Sequence, residues 1–149
     1  MTILPYIKKL TDEMFGLLLA ADPDRSAINT YISTSTIVVC QDGDDLMAIG
    51  VLSSCDDCYE IRNLSVKESY QGRGIGKNMV TELVDISRGS GGRLLEVGTG
   101  NSSLAQLAFY QKCGFRMNRI VNGYFDSYSD PIIENGIRCR DLVYLQLEL

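Results

Sequence analysis

The sequence predicts an α/β (α+β) fold, with a mixed, mostly antiparallel central sheet of about seven strands flanked by about four helices. Three observations carry this expectation. Two apolar runs, "STIVVCQ" and "LMAIGVLSSC", flank the turn "DGDD" as a hairpin, and "DDCYEIRNLSV" extends it into a meander. From Gly76 the apolar period lengthens from two residues to about 3.6, so a helix follows the meander. The next strand, "RLLEVGT", then joins by a parallel crossover, which makes the sheet mixed.

The elements follow in order. "TILPYIKKL" reads as a strand whose Pro5 cannot donate to a ladder, which suits a sheet edge. Thr11 caps a helix with Met14, Leu17 and Leu18 on its apolar face. Asp22 followed by Pro23 reads as a second helix start, with Ile28, Tyr31 and Ile32 on one side. The third helix takes Ile75, Met79, Val80, Leu83 and Val84 as its stripe and stops near Gly89 in "GSGG". "NSSLAQLAFYQKC" is a fourth helix, opened by Asn101 and closed by Gly114. "FRMNRIV" and the alternating end of "RDLVYLQLEL" supply the last two strands. With no linker, repeat or low-complexity tract, residues 1–149 read as a single domain able to bury a core.

Composition narrows the function classes. Fourteen basic against nineteen acidic residues give a net charge of −5, which argues against a nucleic-acid surface; it leans mildly toward cationic or amine partners, although an acidic balance serves first as a solubility device. No apolar run approaches the roughly 18 residues of a membrane span, and the N-terminus lacks the pattern of a secretory signal. A cytoplasmic protein with reduced thiols is the expectation. Its five cysteines form no framework, and the lone "CDDC" has neither a second pair nor a histidine to complete a zinc site. The chain has no histidine at all, which removes histidine-based triads and leaves no expected metal site.

The most informative stretch is "ESYQGRGIGKNMV". It fails the G-x-G-x-x-G test, because Lys77 stands where the third glycine belongs. It also fails the Walker A test, because Asn78 follows Gly76–Lys77 and Gln71 occupies the leading position. What remains is Gln71, Gly74 and Gly76 between a strand and a helix. Backbone N–H groups there, unobstructed by Cβ atoms, suit a pyrophosphate with the helix dipole behind it.

This segment resembles the acyl-CoA pyrophosphate loop of the GNAT superfamily (GCN5-related N-acetyltransferases), in its small single-domain bacterial-type form. The likeness runs through "EIRNLSVKESYQGRGIGKNMVTELV" and "LLEVGTGNSSLAQLAFYQKCGF", about half the chain, and includes a Tyr110, Lys112, Gly114, Phe115 pattern. It implies acetyl-CoA as cosubstrate and an N-acetyltransferase activity by direct transfer in a ternary complex. Backbone groups of Leu64 and Val66 would hold the pantetheine arm. Amides of Gln71, Gly72, Arg73, Gly74, Ile75, Gly76 and Lys77 would hold the pyrophosphate. Asn101 stands where the family often places a CoA contact, or serves only as a helix cap. A non-catalytic acyl-CoA sensor is the alternative, and retention of both candidate catalytic residues speaks against it.

Acetyl transfer to an amine requires loss of a proton from a group with a solution pKa of about 10.4 and protonation of a departing thiolate. The family resemblance makes Glu60 the base and Tyr110 the acid. Glu60 has a second reading, an ion pair with Arg62 two residues on along the strand. Cys113, beside Tyr110, reads as a buried small thiol rather than an acyl-accepting nucleophile. The acceptor would be a small amine or a peptide or protein amine. Tyr124, Phe125 and Tyr128, with Asp126, Asp130 and Glu134, lie in a long connection that suits a cationic amine, a fold-back onto the core or a homodimer contact.

Overall fold

The computed structural model describes residues 1–149 apart from the side chain of Cys55, so how the first thiol of "CDDC" is placed lies outside the described residues. Strand β1 (Thr2–Tyr6) forms one edge of the main sheet and pairs with β2 (Thr36–Asp42), as Pro5 suggests. Between them, α1 (Asp12–Ala21) starts at Thr11, whose hydroxyl accepts from the Met14 N–H at 3.2 Å. Such a cap is worth about 1 kcal/mol.

Helix α2 (Arg25–Tyr31) is capped by Asp24, not by Asp22 as expected. The Asp22 N–H is already used to close α1 on the Leu18 carbonyl. Asp24 lies past the proline and accepts from both Ser26 and Ala27 N–H groups.

The meander continues through β3 (Asp45–Cys55) and β4 (Cys58–Val66), joined at a turn where Asp56 takes φ 54°. Helix α3 (Ile75–Gly89) crosses to β5 (Leu94–Gly100), which runs parallel to β4. Helix α4 (Leu104–Lys112) opens after Ser103, a correction to the expected Asn101. Strand β6 (Arg116–Val121) follows, then a short hairpin of β7 (Ile133–Glu134) and β8 (Ile137–Arg138), and finally β9 (Leu142–Glu148). The hairpin turns on Asn135–Gly136, both at positive φ, as a tight turn between twisted strands requires.

The sheet order is β1-β2-β3-β4-β5-β9-β6, with one parallel pair, β4–β5. Helices cover both faces. Leu18, Ile28 and Tyr31 from α1 and α2 pack on Val39, Ile49 and Val51. On the other face, Ile75, Met79, Leu83 and Tyr110 from α3 and α4 pack on Ile61, Leu95, Val97 and Leu145. Among the described residues, no helix is long and apolar enough to cross a membrane.

Candidate active site

The site begins where two neighbouring strands part. The β4–β5 ladder runs from Cys58↔Leu94 only to Ile61↔Val97. Beyond that point β4 stays with β3 and β5 stays with β9, leaving a wedge between Arg62–Val66 and Gly98–Gly100. Lys67 donates its N–H to the Met47 carbonyl at 2.8 Å on the β3 side. Strand alternation therefore turns the backbone groups of Leu64 and Val66 toward the wedge. The Val66 carbonyl takes the Gln71 Nε2 donor at 2.9 Å, which folds the glycine loop back over the end of β4.

The Gln71 N–H, expected among the pyrophosphate donors, is spent on the Glu68 carbonyl at 3.2 Å, and the loop presents six consecutive amides, Gly72 to Lys77, for which the described residues supply no acceptor. The first helical bond of the turn runs instead from Asn78 N–H to the Gly74 carbonyl at 3.1 Å. Gly74 caps α3 at φ 80°, a left-handed conformation that turns the chain into the helix. At Gly76, a Cβ would stand 3.3 Å from the Phe109 ring, so the bare backbone lets α3 approach α4 beside Tyr110. A row of free N–H groups at the positive end of a helix of this length is an anion cradle.

A cleft of about 380 Å³ passes through the wedge and is lined by Glu60, Leu64 and Tyr110 together. Tyr110 is 6% exposed, held edge-on between Phe109 and Phe115 at centroid distances of 5.0 and 5.5 Å. Both aromatics of the Phe109–Tyr110 pair therefore pack. Burial pushes the Tyr110 phenol well above its ordinary value, so its hydroxyl stays protonated at neutral pH.

Glu60 makes the Arg62 ion pair of its second sequence reading while lining the cleft. Its carboxylate faces the cleft and also meets Arg62 Nε at 3.5 Å. Burial raises its pKa, the Arg62 charge opposes that shift, and Glu96 adds to it. Arg62 itself stacks over the Tyr31 ring at 4.6 Å. Cys113 is half-buried at the end of α4 rather than fully buried, and desolvation raises its pKa, which disfavours a reactive thiolate.

Asn101 does different work from a helix cap. Its Oδ1 accepts from the N–H groups of Arg140 and Asp141 at 2.8 and 3.0 Å, and its Nδ2 donates to the Arg138 carbonyl at 3.2 Å. The side chain thus pins the approach to β9 onto the end of β5. The long connection folds back: Tyr124, Phe125 and Tyr128 line the cleft, and the Tyr128 hydroxyl donates to Asp22 at 3.1 Å.

Sequence reasoning did not anticipate Asp22, Tyr31 or Asn63 as cleft residues, whereas Glu134 of the long connection does line the cleft, its carboxylate accepting from the Ser102 and Ser103 hydroxyls. The roles of the first three depend on contacts across the fold, which no local pattern signals. Among the described residues, no cluster of His, Cys, Asp and Glu is arranged to hold a metal ion.

The acetyltransferase (GNAT) family model matches residues 5–115. This chain belongs to the GNAT acetyltransferase family. Across 144 residues it is 40% identical to the uncharacterized N-acetyltransferase YvbK of Bacillus subtilis (strain 168), covering 95% of this chain and 93% of that one. A GNAT acetyltransferase from Elizabethkingia anophelis, solved with acetyl-CoA bound, superposes with a TM-score of 0.94 at 35% identity over 99% of this chain and 97% of that one. An IAA acetyltransferase from Bacillus cereus ATCC 14579 superposes with a TM-score of 0.92 at 43% identity over 99% of both chains. The protein is thus a GNAT acyltransferase, and acetyl-CoA is the molecule bound in the Elizabethkingia anophelis neighbour. The open strand edge and the row of free amides are features of this chain that fit that cosubstrate.

Proposed function

We propose that this GNAT enzyme moves the acetyl group of acetyl-CoA onto a primary amine by direct transfer in a ternary complex, within one domain spanning residues 1–149. The observation that carries the reading is that Glu60 and Tyr110 line one cleft at the point where β4 and β5 separate.

Acetyl-CoA supplies the activated acetyl thioester. The free amides of Gly72 to Lys77 hold its pyrophosphate, and Leu64 and Val66 offer backbone groups to the pantetheine arm as an added strand would. Glu60 takes a proton from the incoming ammonium, directly or through water, which frees the nitrogen lone pair. The new N–C bond forms as the C–S bond breaks. Tyr110, protonated and in the same cleft, gives its proton to the departing sulfur. Asn101 has its side chain committed to residues 138–141, so any CoA contact there comes from a group left over from that clamp.

A cationic acceptor agrees with the cleft's three carboxylates, Asp22, Glu60 and Glu134, against the single charged base Arg62. Small amines and peptide or protein amines are the candidate acceptors. The test is thiol release from acetyl-CoA across a panel of alkylamines, amino sugars and peptides with free N-termini. Release that depends on one amine class supports transfer. Tight acetyl-CoA binding with no release across the panel would instead make the protein an acyl-CoA sensor.

A further inference from the structure

Asp22 is a half-buried carboxylate in the cleft with no cation within ion-pair distance among the described residues. Its Oδ1 accepts from the Tyr128 hydroxyl at 3.1 Å and from the Asp24 N–H at 3.2 Å. Its Oδ2 receives no donor from the described residues. A carboxylate so placed is stabilised when a cation arrives to pair with it.

The surroundings suit an ammonium. Tyr124, Phe125 and Tyr128 form an edge-to-face row with centroids 4.9 and 5.1 Å apart, an aromatic wall beside the carboxylate. Asn63, 4% exposed and also lining the cleft, donates to the Tyr31 hydroxyl at 3.2 Å, while its own buried Oδ1 has no donor. Tyr31, accepting from Asn63, keeps its own proton to offer elsewhere.

Glu60 is a second, separate negative site. Burial raises the Tyr124 phenol; Arg62 pulls it down, while Asp22 and Glu60 each push it further up. Glu60 lies on β4 and Asp22 just past the end of α1, and both line the cleft together with Tyr124 and Arg62.

We propose that the acceptor is a diamine, with one amine reacting beside Glu60 while the second, protonated amine is held by Asp22 against the aromatic wall. This rests on the amine-transfer reading above and adds the second charge. A monoamine would leave Asp22 unpaired, whereas a diamine would satisfy both carboxylates at once.

The test compares putrescine with n-butylamine, which share a carbon chain and differ by one amine. For the wild-type enzyme, kcat/KM should favour putrescine by at least about tenfold, mostly through KM. In Asp22→Asn, which keeps an acceptor for Tyr128 and Asp24, that preference should collapse toward unity. Equal kcat/KM for the two amines in the wild type overturns the proposal and leaves amine transfer standing. A preference that survives Asp22→Asn also overturns it. If no amine releases thiol, the transfer reading fails, and calorimetry of putrescine into the CoA-saturated protein decides this one. Binding that Asp22→Asn abolishes supports it, and no binding by the wild type sinks it.

Discussion

Glu60 and Glu96 stand directly opposite each other across the parallel β4–β5 pair, one residue pair before the strands part. Their surroundings differ. Arg119 grips Glu96 with contacts of 2.7 and 3.4 Å while stacking over Tyr144 at 3.9 Å, whereas Glu60 has only the longer approach of Arg62. Glu96 presses upward on the Glu60 pKa, and Arg119 opposes it. Glu96→Gln should move the acidic limb of kcat/KM to lower pH, because it removes a like charge and frees Arg119 to favour the Glu60 carboxylate. A pH–rate profile that is unmoved, or moved upward, would refute this coupling.

Glu60 should itself set that limb. Burial places its pKa above the ordinary glutamate value of about 4.3, and the rate should rise with pH as the carboxyl ionises. Glu60→Gln should lower kcat/KM and erase the limb. Stability should respond too. A carboxyl with a raised folded-state pKa contributes stability below its unfolded pKa and loses it as pH rises through the folded value. The melting temperature of the wild type relative to Glu60→Gln should therefore fall from acid toward neutral pH.

Tyr110→Phe keeps the ring between Phe109 and Phe115 and removes only the hydroxyl, which has no hydrogen-bond partner among the described residues. Turnover should drop on the order of 10²-fold if proton donation limits the reaction, with acetyl-CoA affinity and melting temperature little changed. Near-wild-type kcat would reduce Tyr110 to a packing residue.

Gly74→Asp tests the anion cradle with little risk to the fold. Aspartate tolerates the left-handed conformation better than most residues, and a Cβ at Gly74 meets nothing within 4 Å. Its added negative charge would sit among the free amides. Calorimetry should show acetyl-CoA affinity reduced by at least about tenfold, and an undiminished affinity in a folded variant would remove the phosphate assignment.

Asn101→Ala should weaken the protein by about 0.5–1.5 kcal/mol, because it removes three hydrogen bonds to the backbone of Arg138, Arg140 and Asp141, two of them exposed enough for water to replace. The midpoint of urea unfolding measures that loss. Acetyl-CoA titration of the folded variant separates the structural clamp from a CoA contact: only a contact would also raise Kd.

Much of the architecture was legible because periodicity reports it locally. The stripe of Ile75, Met79 and Leu83 and the turn residues between the meander strands are such signals. The cap of α4 was not legible, because "NSS" offers three capping residues in a row. The choice is made by partners of Asn101 that lie 37 to 40 residues further on. The Asp22–Tyr128 bond, spanning 106 residues, likewise has no local trace. For the candidate site, the run of free amides in the glycine loop could be anticipated because a recurrent spacing signals it. The far wall of the cleft could not, because it comes from α1, β4 and the long connection before β9.

The place of β9 in the sheet has a consequence for how the chain assembles. In sequence it follows β6, yet it lies between β5 and β6 and is the partner of both. During synthesis β6 emerges with no strand to join until residues 142–148 arrive and pair with it, and its Met117 and Ile120 stay exposed even in the finished fold. Such late, non-local pairing slows folding and leaves an apolar edge open to other chains. Arg116 and Arg119 on that strand put positive charge on the waiting edge and oppose its pairing with a second nascent copy.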